Sequence, residues 1–286
     1  DALARLRVLV MHAGGDSRRL PAYGPCGKLF VPMPVESDSG LGATLFDRQA
    51  PVYLALPPMP AGTGQVVVTA GDVLLRFDPA SVRFAPVGLT GLAAWDSPDE
   101  ASGHGVYLAD ADGTVRRYLQ KPSPAEQSAQ GAIDRFGRSA LDIGVLNLDA
   151  DLAGRMLALA EPAPGPDGGL AWTGTGRRLI DRRGLDIYRE VCCAMGAEAT
   201  LEHFTATAGG SGSPLDADEM RLLFDRLHSA PFTVQVLGQC DFLHFGTTRQ
   251  LLTSGLELLR AEQGQTDPDP CMIMHCELAE GGRVAG

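Results

Sequence analysis

A short apolar run that stops at a pair of glycines constrains this chain more than any other feature. Arg7-Val8-Leu9-Val10-Met11 reads as a buried strand, and Gly14-Gly15 follows almost at once, so the backbone turns where no Cβ blocks the approach of a ligand. Many α/β nucleotide-binding domains begin with such a strand feeding a glycine loop. Arg18, Arg19 and Lys28 come next, and cationic side chains about ten residues apart can fold over one anion. By composition this is a phosphate loop. It is not a Walker loop, because Ala22 stands where that pattern needs glycine and Leu29 where it needs serine or threonine. Nor is it a dinucleotide fingerprint, since GxGxxG is missing.

The chain has 286 residues, of which 44% are hydrophobic, enough for one large domain or one and a half ordinary ones. A net charge of −11 argues against a sequence-independent grip on nucleic acid, which needs surplus Lys and Arg. Positive charge for phosphates must therefore be concentrated locally. No apolar run of about 18 residues occurs, and the opening lacks the layout of a signal peptide, so no membrane association and a cytoplasmic setting are expected. The six cysteines are scattered without CxxC pairs, and the six histidines lack HExxH; the cysteines read as reduced and structural rather than as metal ligands.

Further strands are expected at Gln65 to Ala70, closed by Gly71-Asp72, and at Val87 to Ala94, Gly105 to Leu108, Val115 to Gln120, Leu141 to Leu148 and Phe232 to Leu237. The Asp110-Ala111-Asp112-Gly113 turn pairs the strands on either side of it as a hairpin. Helices are expected at Thr44 to Leu56, capped by Thr44 and containing Pro51, at Asp149 to Leu159, at Asp216 to His228, and at Thr248 to Arg260 with Thr248 as cap. Pro162 to Gly176, dense in Gly and Pro, reads as a loop. Asp186, Tyr188 and Glu190 read as a solvated helix face. Such a mixture indicates an α/β fold with an open, mixed sheet. From Cys271, Met272 to Leu278 followed by Gly281-Gly282 looks like one rung of a β-solenoid, which cannot bury its own face and would need further rungs. The expected division is a catalytic domain over 1–265 and a first solenoid rung over 266–286.

The stretch His12-Ala13-Gly14-Gly15-Asp16-Ser17-Arg18-Arg19-Leu20-Pro21, continuing through Gly27-Lys28-Leu29-Phe30, resembles the opening AGGxGTRLxP signature of the sugar-nucleotide pyrophosphorylases and its following lysine. Ser17 and Arg18 replace the usual Gly-Thr, and the Ala22 to Gly27 spacer is longer. The phrase is most similar to the L-fucose-1-phosphate guanylyltransferases, including the corresponding half of bifunctional fucokinase/pyrophosphorylase proteins. Gly71-Asp72-Val73-Leu74-Leu75 and Phe242-Leu243-His244-Phe245-Gly246-Thr247-Thr248 agree with it. No kinase-like second glycine motif occurs.

The resemblance implies a GT-A-like, Rossmann-related mixed sheet with helices on both faces. It also implies in-line attack of a sugar 1-phosphate on the α-phosphorus of a nucleoside triphosphate, GTP above others, with release of pyrophosphate. Ala13, Gly14, Gly15, Asp16, Ser17 and Arg18 would hold the nucleotide, and Arg19 and Lys28 would carry catalysis by neutralising the triphosphate and leaving group. Asp72, at a strand end, would hold Mg²⁺. Lys121, in Gln120-Lys121-Pro122, matches the family's EKP lysine on the sugar phosphate, and Asp142, Gly246 and Thr247 would complete that subsite. In the family's Trp-x-Asp-x-Gly-Thr segment the Asp is a second metal ligand; Asp241 is taken for that role, although on strict alignment His244 occupies the place.

Alternatives remain open at this level: another sugar 1-phosphate or another base, or a non-catalytic sugar-nucleotide-binding domain on the same fold. Homo-oligomerisation is also open.

Overall fold

The computed structural model describes residues 2–13, 19–34, 43–59, 63–181, 184–263, 279 and 281–282. The glycine-loop residues Gly14 to Arg18 and the expected rung from Cys271 to Leu278 lie outside the described residues. Along the chain run β1 (Arg7–Met11), α1 (Leu45–Leu54), β2 (Gln65–Thr69), β3 (Val73–Arg76), β4 (Leu89–Asp96), α2 (Pro98–Ala101), β5 (Gly105–Ala109), β6 (Val115–Gln120) and α3 (Pro124–Gln130). They are followed by β7 (Ser139–Asp149), α4 (Ala150–Leu159), β8 (Pro162–Pro164), β9 (Leu170–Trp172), α5 (Gly174–Asp181), α6 (Leu201–Gly210), α7 (Ala217–Leu227), β10 (Phe232–Val236), β11 (Asp241–His244) and α8 (Thr248–Gln263). No described helix is long and apolar enough to cross a membrane.

Local chemistry accounts for most helix starts. Thr44 caps α1 reciprocally with Asp47, and Ser123 with Glu126 and Asp216 with Glu219 do the same for α3 and α7. Each such pair satisfies two otherwise orphaned backbone amides. Gly131, in the left-handed conformation with φ 72°, ends α3.

The fold divides into two compact units. The first comprises Asp1–Leu9, Pro57–Val68 and Ser81–Gly238; the second comprises Val10–Leu56, Thr69–Ala80 and Gln239–Gly286.

A seven-stranded sheet is ordered β1-β2-β7-β4-β10, with β5 pairing both β6 and β7. β7 is buried along its whole length, as a strand flanked on both sides should be. It runs antiparallel to β4 and β5, while β10 runs parallel to β4, so the sheet is mixed, as the interrupted helix pattern suggested. Opposite Leu92/Ala93 the register jumps from Val145 to Asp142, and Gly144 absorbs the bulge at φ 77°. The first unit's core joins Leu89, Leu146 and Leu148 of the sheet to Leu152 of α4, Phe204 of α6 and Leu223 of α7.

Within the second unit, β3 and β11 form a separate antiparallel ribbon. Its Leu74, Leu243 and nearby Phe245 pack with Leu45 of α1 and Leu251 and Leu258 of α8.

Two expectations change. Pro162 to Gly176 is not a plain loop: β8 and β9 pair from Pro162↔Trp172 to Pro164↔Leu170, and α5 starts at Gly174. The Asp167-Gly168 turn, with Gly168 at φ 78°, closes that hairpin. Ile187–Cys192 is a π-helical turn rather than a solvated helix face, and Glu190 within it is fully buried. Its carboxylate accepts from the Asp186 amide at 2.7 Å and pairs with Arg189 Nε at 2.5 Å, the partners that make a buried charge tolerable.

Candidate active site

Asp72 lies in the second unit at the bend between β2 and β3. Its backbone carbonyl accepts from the Phe245 amide at 2.7 Å, which locks it beside the end of β11. The neighbouring Gly71 is required here, because a Cβ on it would stand 1.6 Å from the His12 carbonyl oxygen. The chain after β1 and the chain after β2 therefore run in backbone contact. Gly27 acts likewise on the other flank: at φ 75° it turns the chain between the 3-10 turns Pro21–Cys26 and Lys28–Phe30, and its added Cβ would lie 3.0 Å from the Ala13 carbonyl oxygen.

This arrangement delivers Lys28 to Asp72, with Nζ 2.8 Å from Oδ2 and both side chains largely sheltered. His244 Nε2 stands 3.4 Å from the same oxygen. Burial pushes the Asp72 carboxyl up, but the hydrogen bonds and charges of His244 and Lys28 outweigh it and hold Asp72 well below the usual carboxylate range. Asp72 is thus an anion poised for cations.

His244 is itself held. Gln250 Nε2 is 2.9 Å from its Nδ1, and Gln250 Oε1 accepts from Thr247 Oγ1 at 3.0 Å. The Gln250 backbone amide donates to Thr247 Oγ1 at 3.1 Å, so Thr247 provides the cap expected of Thr248. Thr248 serves another purpose: its amide and hydroxyl both donate to the Arg19 carbonyl, at 2.9 and 3.3 Å. That leaves the exposed Arg19 side chain anchored at its backbone.

Asp241 does not join this group. The register sets Asp241 opposite Arg76 and His244 opposite Val73, so Asp241 lies three residues, about 10 Å, along the strand from His244. Its carboxylate instead pairs with Arg76 at 2.9 Å. Gly246 does reach Asp72: a Cβ there would be 2.7 Å from Asp72 Oδ2 and 3.0 Å from His244 Nε2.

Lys121 and Asp142 belong to the first unit. Lys121 follows β6 with an uncommon positive φ of 50°, its amide held by the His104 carbonyl. It lines a cavity of about 470 Å³ with Gln120, Glu126, Gln130, His203 and Ser211. Asp142 lies on an interior strand of the sheet. It sits buried in β7 beside the bulge, accepting from the Tyr118 hydroxyl at 2.7 Å and the Gly144 amide at 2.7 Å. Burial pushes its carboxyl up to about 6, even against the Tyr118 and Tyr107 hydroxyls and the Gly144 amide. Gly91 and Gly105 make room for those tyrosines, whose rings meet edge to face at 5.1 Å.

Sequence reasoning missed Gln250 and the two tyrosines as partners of acidic and basic site residues. The only advance signal for Gln250 was its position one turn into a helix starting beside Gly246-Thr247. The tyrosines carried a strand signal and nothing more.

The family model described as "Fucose pyrophosphorylase domain" matches residues 1–285. An L-fucokinase/L-fucose-1-P guanylyltransferase of Bacteroides fragilis is 24% identical over 284 residues, covering 95% of this chain and 26% of that protein. A human fucose-1-phosphate guanylyltransferase is 26% identical over 279 residues, covering 86% of this chain and 42% of its own length. The chain thus spans about a quarter of the first relative and less than half of the second. HddC from Yersinia pseudotuberculosis is similar at a TM-score of 0.34 and 11% identity, over 68% of this chain and 55% of that one, too slight a likeness to inform the fold.

Proposed function

This chain belongs to the fucose pyrophosphorylase domain family, and from that premise we propose that it joins L-fucose 1-phosphate to GTP, giving GDP-L-fucose and pyrophosphate. The observation that carries the reading is the convergence of Lys28 and His244 on one ionised carboxylate, Asp72, directly after a strand. A phosphoryl-transfer site of this kind needs charge neutralisation and positioning more than a covalent partner. A sugar-phosphate oxygen attacks the α-phosphorus while the bond to the β-phosphate bridging oxygen breaks and pyrophosphate leaves. Lys28 and Arg19 offset the charge of the triphosphate and of the departing pyrophosphate. Ala13 to Arg18 are assigned to the nucleotide, and within the second unit Gly246 and Thr247 are assigned to the sugar phosphate. Asp142, whose carboxylate is already engaged by Tyr118 and Gly144, is assigned no direct contact with sugar.

The residues around Asp72 fit a divalent cation such as Mg²⁺. The Lys28 ammonium already stands on the carboxylate where a cation would, and Gly246 leaves the adjoining space open. Among the described residues no group of three or more ligating side chains occurs, so water and phosphate oxygens would complete the shell, as Mg²⁺ sites commonly require. When bound, the cation supplies charge neutralisation across phosphate oxygens.

The finer fold reading belongs to the same proposal: a GT-A-like, Rossmann-related catalytic domain over 1–265, and over 266–286 the first rung of a β-solenoid. A cytoplasmic setting accords with a nucleoside triphosphate substrate.

Pyrophosphate release measured with L-fucose, mannose and glucose 1-phosphates against GTP, UTP, ATP and dTTP tests the reading. Release confined to L-fucose 1-phosphate with GTP supports it. Release with another pair keeps the chemistry and discards the substrate, and silence from folded protein overturns the enzyme.

A further inference from the structure

We infer that the cation site at Asp72 is a mixed oxygen–nitrogen site, with His244 Nε2 as its second protein ligand, and that it therefore selects first-row transition dications over Mg²⁺. The inference rests on the reading of Asp72 as a cation ligand and goes beyond it by assigning the donor set and the metal preference.

Three observations carry it. Asp72 Oδ2 and His244 Nε2 lie 3.4 Å apart. Two donors each about 2.1 Å from a shared ion stand about 3.0 to 3.4 Å from one another in octahedral to tetrahedral geometry, so the pair is spaced for one ion without moving the backbone. Second, the only side chain that could crowd these two atoms from residue 246 is missing: a Cβ on Gly246 would fall 2.7 Å from the oxygen and 3.0 Å from the nitrogen. The glycine thus keeps open a cradle bordered by both donors. Third, the other nitrogen of His244 already has an orienting partner, since Gln250 lies 2.9 Å from Nδ1. Metal-bound histidines characteristically have the distal nitrogen fixed in this way. Exchanging the two ends of the Gln250 amide would let Oε1 accept from Nδ1–H and Nε2 donate to Thr247 Oγ1, keeping both Gln250 contacts and giving up the His244–Asp72 hydrogen bond so that the Nε2 lone pair of His244 faces the ion instead.

The donor set decides the metal. Mg²⁺ is hard, holds its water and favours oxygen ligands throughout, whereas imidazole suits first-row transition ions, whose affinities rise from Mn²⁺ through Co²⁺ to Cu²⁺. Mn²⁺ is the weakest binder of that series and so the most stringent probe. The Asp241 carboxylate, engaged by Arg76, does not offer the all-oxygen alternative.

The test is Mn²⁺ binding to the full chain followed by electron paramagnetic resonance, with and without GTP, and with Mg²⁺ as competitor. The expected results are a resolved ¹⁴N coupling from a directly bound imidazole, and displacement of Mn²⁺ only at Mg²⁺ concentrations tenfold or more above it. His244→Asp should erase the nitrogen coupling and lower that ratio at least tenfold. Bound Mn²⁺ without nitrogen coupling in the unaltered protein overturns the inference even if the variant fails to fold, and so does a ratio unchanged by the substitution. Pyrophosphate release is read separately: nucleotidyl transfer from an all-oxygen site would sink this inference and leave the proposed function standing. A nitrogen-coupled ion in protein that transfers nothing would do the reverse.

Discussion

Lys28 Nζ stands 2.8 Å from Asp72 Oδ2, on the oxygen that also faces His244. The metal ion proposed for Asp72 would therefore compete with this ammonium for one carboxylate, and the lysine would serve phosphates only when something else neutralises Asp72. Lys28→Met should cut turnover by roughly 10² to 10⁴, the scale for losing a preorganised charge from a phosphoryl-transfer site. Mn²⁺ affinity should stay the same or tighten, because the competing cation is gone. Steady-state rates and Mn²⁺ titration on one preparation check this; a matching loss of metal binding would contradict it.

Gly246→Ala should separate metal binding from folding. The added methyl would meet Asp72 Oδ2 at 2.7 Å and His244 Nε2 at 3.0 Å, and both are ends of side chains that can swing aside. Thermal unfolding should move by only a few degrees, while cation affinity drops tenfold or more because the two donors no longer converge. A variant that binds Mn²⁺ normally would show that the space at residue 246 is unrelated to the ion.

Asp142 gives the protein a pH-dependent stability of unusual sign for an aspartate. Its folded value of about 6 lies above the ordinary one, with burial the main cause, so the folded state holds the proton more tightly. The stabilisation is complete below about pH 4 and is lost as pH rises through 6, a change on the order of 3 kcal/mol. Asp142→Asn stays neutral throughout. Denaturant unfolding at pH 5 and pH 8 should show the variant gaining relative to the native chain at the higher pH, and parallel losses at both would remove the buried carboxylate as the cause.

Glycines at two kinds of site should respond oppositely to alanine. Gly105→Ala would place a Cβ 1.7 Å from the Tyr118 hydroxyl, and Gly91→Ala one 2.1 Å from that of Tyr107. Overpacking of this kind costs about 1 to 3 kcal/mol or more, and here it also displaces the partners of Asp142. Gly154, inside α4, has nothing within 4 Å of an added Cβ, so Gly154→Ala should stabilise by about 0.5 to 1 kcal/mol. Equilibrium unfolding of the three variants decides the contrast.

Much of the fold was legible because its signals are local. The apolar run before the glycine loop is β1, although it lies at the end of the strand order and is partly exposed rather than buried as expected; the Val115 to Gln120 strand and its hairpin partner emerge as expected, and Thr44, Asp149 and Asp216 cap the helices they precede. The four-residue strands β3 and β11 and the short helices α2 and α3 were not legible, since segments of that length carry too little periodicity to stand out. The Gly- and Pro-rich span after α4 concealed a hairpin because three-residue strands are specified by their turn and their partner, not by alternation.

Lys28 and the aspartate after β2 were singled out by sequence alone, because each is a residue type at a short distance from a strand end. Which side chain would meet Asp72 was decided only by tertiary structure. The antiparallel register of β3 with β11 sets His244 beside it and carries Asp241 off to Arg76, and strand register depends on the packing of both strands against a common core. Burial likewise decided Asp142 and Glu190: Tyr118 of β6 engages the first and the Asp186 amide one turn back engages the second, so both carboxylates are satisfied parts of the interior.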